Sequence, residues 1–193
     1  HVSTGQCIGP VGGWLNDPAH GGGPMFYIGS HALDCAMWMA DAVPLRVFAD
    51  VHRPDPQGCE QSVDAVISCE GGFSIQLCTS YRVGCRYGWL DVMGTHGRLR
   101  AEWESNVLFV WSNKSDAYSA PTRIEVPNQP YIPAVPFTGT GSVIAAKYLP
   151  MWAAEMHEFC DAISEGRAPH VCGDDGLRLL RVADALFASG RSG

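Results

Sequence analysis

Three polar side chains with complementary chemistry follow a glycine-rich segment near the start of the sequence. Tyr27, His31 and Asp34 are spaced four and three residues apart, which places them on one face of a helix. A phenol, an imidazole and a carboxylate on one face could move a proton to or from a bound substrate. The alternative interpretation is a buried helix with a few satisfied polar groups, and the residue types alone favour that alternative.

The surrounding residues predict that these side chains belong to a single helix over 24–41. Three consecutive glycines, 21–23, let the backbone turn freely before the helix. Pro24 suits the first helical turn, where its missing N–H needs no partner. Pro44 marks the exit from the helix.

Beyond Pro44 the hydrophobic period changes from helical to two, which is typical of strands. Short turns such as Glu70-Gly71-Gly72 join these segments. We therefore expect an α+β fold built on a large, open and mostly antiparallel sheet of about seven strands. The predicted strands are 45–52, 62–69, 73–81, 89–93, 98–102, 107–111 and 123–126.

One face of this sheet is apolar and needs a cover. Helix 24–41 can provide it together with a helix over 151–165 and a last helix that Asp174 or Asp175 can cap. The other face is mixed, with aromatic and β-branched residues such as Phe48 and Val66 among polar ones. A mixed outer face of this size predicts an oligomer interface.

The remaining segments carry turn residues and little periodicity. Residues 1–20 predict a loop with an anchored turn around Asp17-Pro18. Residues 127–150 hold five prolines and predict a long loop, a kind that is uncommon unless it is functional.

The composition excludes several classes of function. The chain is 46% hydrophobic and 17% charged, as a globular protein is, and its net charge of -7 argues against a nucleic-acid surface. No stretch of about 18 apolar residues occurs, so we expect no membrane span. The eight cysteines form no CxxC pair, so we interpret them as mostly buried, reduced thiols of a cytoplasmic protein.

Sequence motifs for other chemistries are weak or missing. No G-x-G-x-x-G, G-x-x-x-x-G-K-[ST] or G-x-S-x-G pattern occurs. The nearest approach to a phosphate loop is 138–142, which no strand precedes. His20, His31 and Asp34 could ligate zinc, but this spacing is common by chance and we expect no metal site.

Several motifs, in order, resemble the C-terminal half of the Gfo/Idh/MocA oxidoreductases, the family of glucose–fructose oxidoreductase and inositol dehydrogenase. The resemblance spans nearly the whole chain. The motifs are Trp14-x-x-Asp17-Pro18, Gly21-Gly22-Gly23-Pro24, Gly29-x-His31-x-x-Asp34, Gly94-Thr95-x-Gly97-x-Leu99, 155–163, Gly166-Arg167, Gly173-x-Asp175-Gly176 and 182–189.

The resemblance implies a two-part enzyme of which this chain is one part. In that family a Rossmann domain binds NAD(P), and a C-terminal α+β domain holds the substrate and forms oligomers through its open sheet. Residues 1–193 then form a single substrate-binding and oligomerisation domain, without the family's Rossmann fingerprint or Glu-Lys-Pro motif. The complete enzyme would use NAD or NADP on a sugar, polyol or related compound, as a homodimer or larger. The chain alone would bind no nucleotide tightly and would be inactive.

The resemblance also assigns roles to individual residues. His31 matches the histidine that exchanges the hydroxyl proton during hydride transfer, and Asp34 matches a residue that bonds a substrate hydroxyl. Tyr27 lies where many members have a catalytic aspartate, so it is expected to donate a hydrogen bond or act as an acid. Trp14 and Asn16 are expected to contact the substrate.

Two other functions stay open from the sequence. The chain could be a non-catalytic ligand-binding or scaffold module of the same fold. Less favoured is a metal-assisted hydrolase that uses His31 and Asp34. Leu15, where many family members have arginine, weakens the expectation of an anionic substrate.

Overall fold

A computed structural model describes residues 1–103, 107–112, 120–125 and 149–192. Within them the chain forms an eight-stranded open sheet and three α-helices, which confirms the predicted α+β class. The proline-rich segment lies outside the described residues as far as position 148, and so does the 138–142 motif. The elements are β1 (Val2–Cys7), α1 (Ser30–Met39), β2 (Pro44–His52), β3 (Ser62–Cys69), β4 (Ser74–Ser80), β5 (Tyr87–Gly94), β6 (Gly97–Glu102), β7 (Val107–Ser112), β8 (Thr122–Glu125), α2 (Leu149–Glu165) and α3 (Gly173–Ser192).

The sheet is almost entirely antiparallel, as predicted. Its strand order is β2-β3-β4-β1-β5-β6-β7-β8, and only β1 and β4 run parallel to each other. The seven predicted strands are all present, with ends that differ from the prediction by at most two residues. The eighth strand, β1, was not predicted.

The expectation that residues 1–20 form a loop is wrong. Residues Val2–Cys7 form a central strand, and two short 3₁₀ turns, Gly13–Asn16 and Pro18–His20, follow it. The strand was hidden because two of its inward positions are polar. The Thr4 hydroxyl contacts the carbonyl oxygens of Ala32 at 3.2 Å and Trp89 at 3.0 Å. These contacts satisfy a polar group that is fully buried in the core.

The chain divides into two compact units. The first contains residues 1–125 and 178–193, and the second contains residues 126–177. In the first unit, α1 and the part of α3 from Arg178 onward cover one face of the sheet, as predicted. The largest apolar side chains buried there are Met25, Leu33, Met37, Val63, Ile67, Ile75 and Leu186.

The second unit contains α2 and the start of α3. Gly166 ends α2 with a left-handed φ of 67°, and the Arg167 guanidinium bonds Glu158 and Glu165, each at 2.6 Å. The Asp175 carboxylate accepts the Cys172 N–H at 2.9 Å, so Asp175 caps α3.

All eight cysteines are free thiols, and three of them are exposed. The exposed thiols are those of Cys85, Cys160 and Cys172, whereas we expected the cysteines to be mostly buried. None of the helices in the described part of the chain has the length and apolar character needed to cross a membrane.

The outer face of the sheet carries a network of charged side chains around Asp91. This carboxylate is 5% exposed and lies between two arginines. Arg98 holds both of its oxygens, one of them at 2.8 Å, and Arg100 reaches it at 3.3 Å. Arg98 also lies over the Trp111 ring, 4.7 Å from its centroid. The hydrogen bonds from Arg98, and then the arginine charges, hold the pKa of Asp91 below its ordinary value.

This depressed pKa predicts a loss of stability in acid. The ionised Asp91 stabilises the folded state fully above the ordinary carboxyl pKa, and the contribution is lost as pH falls through the lowered pKa. We expect Asp91→Asn to remove this part of the acid dependence, whereas Asp50→Asn, an exposed change on the same face, should retain it. Denaturant unfolding of the three proteins between neutral and acid pH measures the difference. If the free energy of unfolding fell equally steeply with decreasing pH for Asp91→Asn and for the unmodified chain, the prediction would be contradicted.

Candidate functional site

The segment that carries the candidate side chains is not one uniform helix. Residues Met25–Gly29 form a π-helical turn, in which the Ser30 N–H donates to the Met25 carbonyl, and α1 continues from Ser30. The predicted helix over 24–41 is therefore corrected to a π turn followed by an α-helix that ends at Met39. Single π turns inside helices are frequent at functional sites.

Contacts with the sheet hold the π turn close to β4. The Thr79 hydroxyl lies 3.0 Å from the Gln6 carbonyl oxygen and 3.3 Å from that of Pro24. A side chain at Gly29 would bring its Cβ to 2.9 Å from the Thr79 methyl group. The helix therefore begins directly on the sheet, and only glycine fits at this contact.

The candidate side chains lie on the face of the helix that points away from the sheet. Ala32 and Leu33 are completely buried on the opposite face. Tyr27 is 37% exposed, His31 is exposed and Asp34 is partly buried. The interpretation of a buried helix with satisfied polar groups is thus wrong. The phenol, imidazole and carboxylate form an accessible polar face on a helix anchored by its other side.

Aromatic contacts join Tyr27 to another candidate residue. The Trp14 and Tyr27 rings are 6.4 Å apart at 76°, and the Tyr27 and Tyr81 rings are 6.4 Å apart at 60°. Tyr81 is buried, and its hydroxyl donates to the Leu15 carbonyl at 3.4 Å. Burial, and then the nearby Glu60 carboxyl, raise the pKa of Tyr81. Tyr81 is therefore a neutral support for the exposed Trp14 and Tyr27 rings.

Asn16 is held at the same end of the sheet by Gln61, which the sequence did not single out. The Gln61 side chain donates to the Asn16 amide oxygen at 2.8 Å. The Gln61 backbone N–H donates to His52, and its carbonyl accepts from Tyr81. Trp14, Asn16 and Tyr27 are thus all connected to the region around Tyr81.

A groove of about 440 Å³ lies beside the π turn in the first unit. Phe26 and Phe187 form one of its walls, with ring centroids 5.6 Å apart. Its charged lining comes from Arg53, Glu60, Asp184 and Arg191. The groove could not be predicted from local patterns, because α3 and the turn before β3 are far apart in the chain.

Glu60 is the most buried charged side chain at the site, and its role could not be predicted from the sequence either. It is 3% exposed, and its Oε1 accepts the Met25 N–H at 3.2 Å. Its other oxygen lies 3.9 Å from the Arg53 guanidinium. Burial raises the pKa of Glu60 above its ordinary value, while hydrogen bonds from the Met25 and Glu60 N–H groups and the charge of Arg53 act in the opposite direction. The only sequence signal is a carboxylate next to an apolar strand, which is too common to single it out.

The potential metal ligands are not brought together. His20 Nδ1 lies 2.9 Å from the Asp17 carboxylate, which also accepts the Ala19 N–H. Asp17 and His20 thus stabilise the short turn Pro18–His20. Across residues 1–103, 107–112, 120–125 and 149–192, no three or more His, Cys, Asp or Glu side chains form a group that could hold a metal ion.

The described residues also do not fit the pyrophosphate of a dinucleotide. Such a site needs a glycine-rich turn between a strand and the N-terminus of a helix. β1 leads instead into the 3₁₀ turn Gly13–Asn16, and β2 to β5 each lead to another strand. Within the described part of the chain, no strand leads directly through a glycine-rich turn into an α-helix.

Comparison with protein families places the sequence in a known group. The family model for the GFO/IDH/MocA C-terminal domain matches residues 1–100, more than half of the 193 residues. No curated protein sequence shows significant similarity to the chain.

Several solved structures with the same fold are oxidoreductases. An oxidoreductase domain protein from Kribbella flavida superposes with a TM-score of 0.77 at 19% identity, covering 100% of this chain and 57% of that one. An aldose-aldose oxidoreductase from Caulobacter crescentus complexed with glycerol gives 0.73 at 23% identity, covering 100% and 53%. A levoglucosan dehydrogenase with NADH and L-sorbose gives 0.77 at 18% identity, covering 99% and 56%. The chain thus spans little more than half the length of these proteins, and at these identities the likeness shows the fold.

Proposed function

Because this chain belongs to the GFO/IDH/MocA C-terminal domain family, we propose that it is the substrate-binding and oligomerisation part of an NAD(P)-dependent oxidoreductase. Its substrate is a sugar, polyol or related hydroxyl compound. The observation that carries this proposal is the exposed face with Tyr27, His31 and Asp34 on a helix packed by its other side. Such a face is half of a site, and a second surface is needed to enclose a substrate against it.

The chemistry of this face suits the oxidation of an alcohol. Oxidation needs a base for the hydroxyl proton, and the His31 imidazole is a side chain of the type that serves as such a base. A bound nicotinamide would supply the hydride acceptor, which no side chain can replace. Asp34, three residues from His31, accepts a hydrogen bond from a second substrate hydroxyl. Tyr27 donates a hydrogen bond to the reacting oxygen at the position where the family usually has aspartate.

Three further observations support the substrate class and the compartment. Two of the structural relatives are complexes with hydroxyl compounds, one with the polyol glycerol and one with the sugar L-sorbose. The aromatic rings of Trp14 and Tyr27 offer the apolar surface on which the C–H face of a sugar can stack. Eight free thiols suit the reducing cytoplasm, where we place the protein.

A turnover assay tests the proposal. The protein encoded by the complete gene is incubated with NAD⁺ or NADP⁺ and a panel of hexoses, inositols and linear polyols, and the reduced nicotinamide is followed by absorbance. We expect turnover with at least one hydroxyl compound, and none when the 193-residue chain is assayed by itself. Binding of a polyol without turnover on either nucleotide would instead support a non-catalytic ligand-binding module.

The proposed oligomer uses the outer face of the sheet. Phe48 is 67% exposed there, and Val66 on the neighbouring strand is 41% exposed. Light scattering after size exclusion should give a dimer or a larger species. We expect Phe48→Glu to weaken this association about tenfold or more, because it places a charge in the core of the interface.

Val171→Glu is the matched control for the oligomer, since Val171 is also 67% exposed but lies in the second unit. In light scattering, Val171→Glu should give the same oligomer mass as the unmodified chain. A monomeric unmodified chain at all concentrations would contradict the proposed interface.

A further inference from the structure

Glu60 is a buried carboxyl group that the proposed proton transfer does not use. It lies in the turn before β3, far in sequence from the helix it contacts. Its Oε1 accepts the N–H of Met25, the first residue of the π turn, at 3.2 Å. A carboxylate at this position satisfies a backbone donor that has no partner within the helix.

Gly23 shows how closely the backbone is fitted to this carboxyl group. It has a φ of 119°, which favours glycine, and a Cβ at this residue would collide with both Glu60 carboxylate oxygens. The Gly23 carbonyl accepts the Tyr27 N–H at 3.1 Å. The residue that packs against Glu60 is therefore also the residue that holds the backbone of Tyr27.

We propose that Glu60 is a positioning residue, which fixes the first turn of the helix so that Tyr27 and His31 meet the substrate. The proposal rests on the proposed function, because it assigns Tyr27 and His31 to the reaction. Glu60 itself reaches no substrate on this account. It acts through the Met25 N–H and through Gly23, and the π turn transmits its position to Tyr27.

The groups around Glu60 determine how it responds to pH. Arg53 and Cys59 flank it in its own turn, Tyr81 lies near it on the side of β4, and Asp184 and Arg191 line the groove from α3. Burial outweighs the stabilising contacts and raises the pKa of Glu60. The contribution of the protonated Glu60 carboxyl group to the free energy of unfolding is therefore fully present below the ordinary carboxyl pKa. It declines as pH rises through the raised pKa of the folded state. Glu60→Gln should abolish this decline.

Three substitutions test the positioning role. Glu60→Ala removes the acceptor, Glu60→Asp keeps the charge but shortens the reach to Met25, and Glu60→Gln keeps an oxygen at the same distance. Glu70→Ala, an exposed change in the turn between β3 and β4, is the control. Hydrogen exchange of the Met25 and Tyr27 amides is measured in the 193-residue chain, and kcat and KM are measured in the complete protein.

We expect Glu60→Ala and Glu60→Asp to lower the protection of both amides by about tenfold or more, since each loses the bond to Met25. The same two variants should lower kcat roughly 10- to 100-fold with a smaller change in KM, because a displaced catalytic group costs rate more than binding. Glu60→Gln should keep kcat within about threefold of the unmodified protein. Glu70→Ala should match the unmodified protein in every measurement.

The outcomes separate this proposal from the proposed function. If Glu60→Ala does not fold, Glu60→Asp provides the comparison. Wild-type amide protection in Glu60→Asp would overturn the positioning role, and so would a wild-type kcat. Absence of turnover in the unmodified protein would contradict the proposed function alone, because hydrogen exchange reports on the Glu60 contact without any reaction.

Discussion

Replacing His31 with alanine is expected to lower the kcat of the proposed oxidoreductase by about 10²–10⁴-fold. The His31 imidazole on the exposed helix face is the proposed base for the hydroxyl proton of the substrate. Its removal leaves the helix packing intact, because His31 is exposed and the core contacts of α1 come from the opposite face. The loss should therefore appear in turnover and not in the melting temperature.

A comparison with His157→Ala makes the His31 result specific. His157 is also exposed on a helix, α2, and has no role in the proposed site. Steady-state kinetics on both variants should show the loss for His31→Ala only. An unchanged rate for His31→Ala would remove this residue from the mechanism and would favour the non-catalytic module.

The largest effect on stability is expected from Gly5→Ala. Gly5 lies in β1, opposite Cys78 of β4 and Trp89 of β5. A Cβ there would overlap the Cys78 carbonyl oxygen and the Trp89 indole ring. The indole is itself stacked on Tyr87, with centroids 5.4 Å apart, so it has little freedom to move aside. We expect the free energy of unfolding to fall by about 3 kcal/mol or more.

Gly12→Ala is the matched control for this change. Gly12 has a φ of -123°, which alanine adopts readily, and no atom lies within 4 Å of the position that its Cβ would take. Denaturant unfolding should give nearly the same stability for Gly12→Ala as for the unmodified chain. A Gly5→Ala chain as stable as Gly12→Ala would show that the sheet adjusts around β1.

Much of the fold could be predicted because inward and outward residues alternate clearly in most strands. Val63, Ala65 and Ile67 are buried on β3, while Asp64 and Val66 between them are exposed. This pattern identified the strand and the face that needs a cover. β1 escaped prediction because Thr4 and Gln6 occupy inward positions, and their hydrogen-bond partners are distant in sequence.

The candidate site was predicted in part. The helical spacing of Tyr27, His31 and Asp34 was sufficient to place them on one face, although the π turn at Met25–Gly29 was not predictable from spacing. That turn depends on the contact of Gly29 with Thr79 and on the Glu60 bond to Met25. Both contacts join segments far apart in sequence, so no local pattern reports them.

The exposure of the helix face could not be predicted from local patterns either. Residue types favoured a buried helix, because an imidazole and a carboxylate among alanines and methionines are common in protein cores. Which side of the helix meets the sheet is decided by Ala32, Leu33 and Met37 in the core, where α1 packs on strands β1, β4 and β5. Tertiary packing, not composition, therefore distinguishes a site from a core helix.

The central place of β1 also has a consequence for how the chain folds. β2 to β4 and β5 to β8 are two sets of neighbouring hairpins that can form from local contacts, whereas Val2 pairs with Ile75 on one side and Val92 on the other. Insertion of the first strand between the two sets must close long loops, and such steps are slow. Until it is inserted, β4 and β5 each present an unpaired edge on which another chain can add a strand. The yield of refolding should therefore depend on protein concentration.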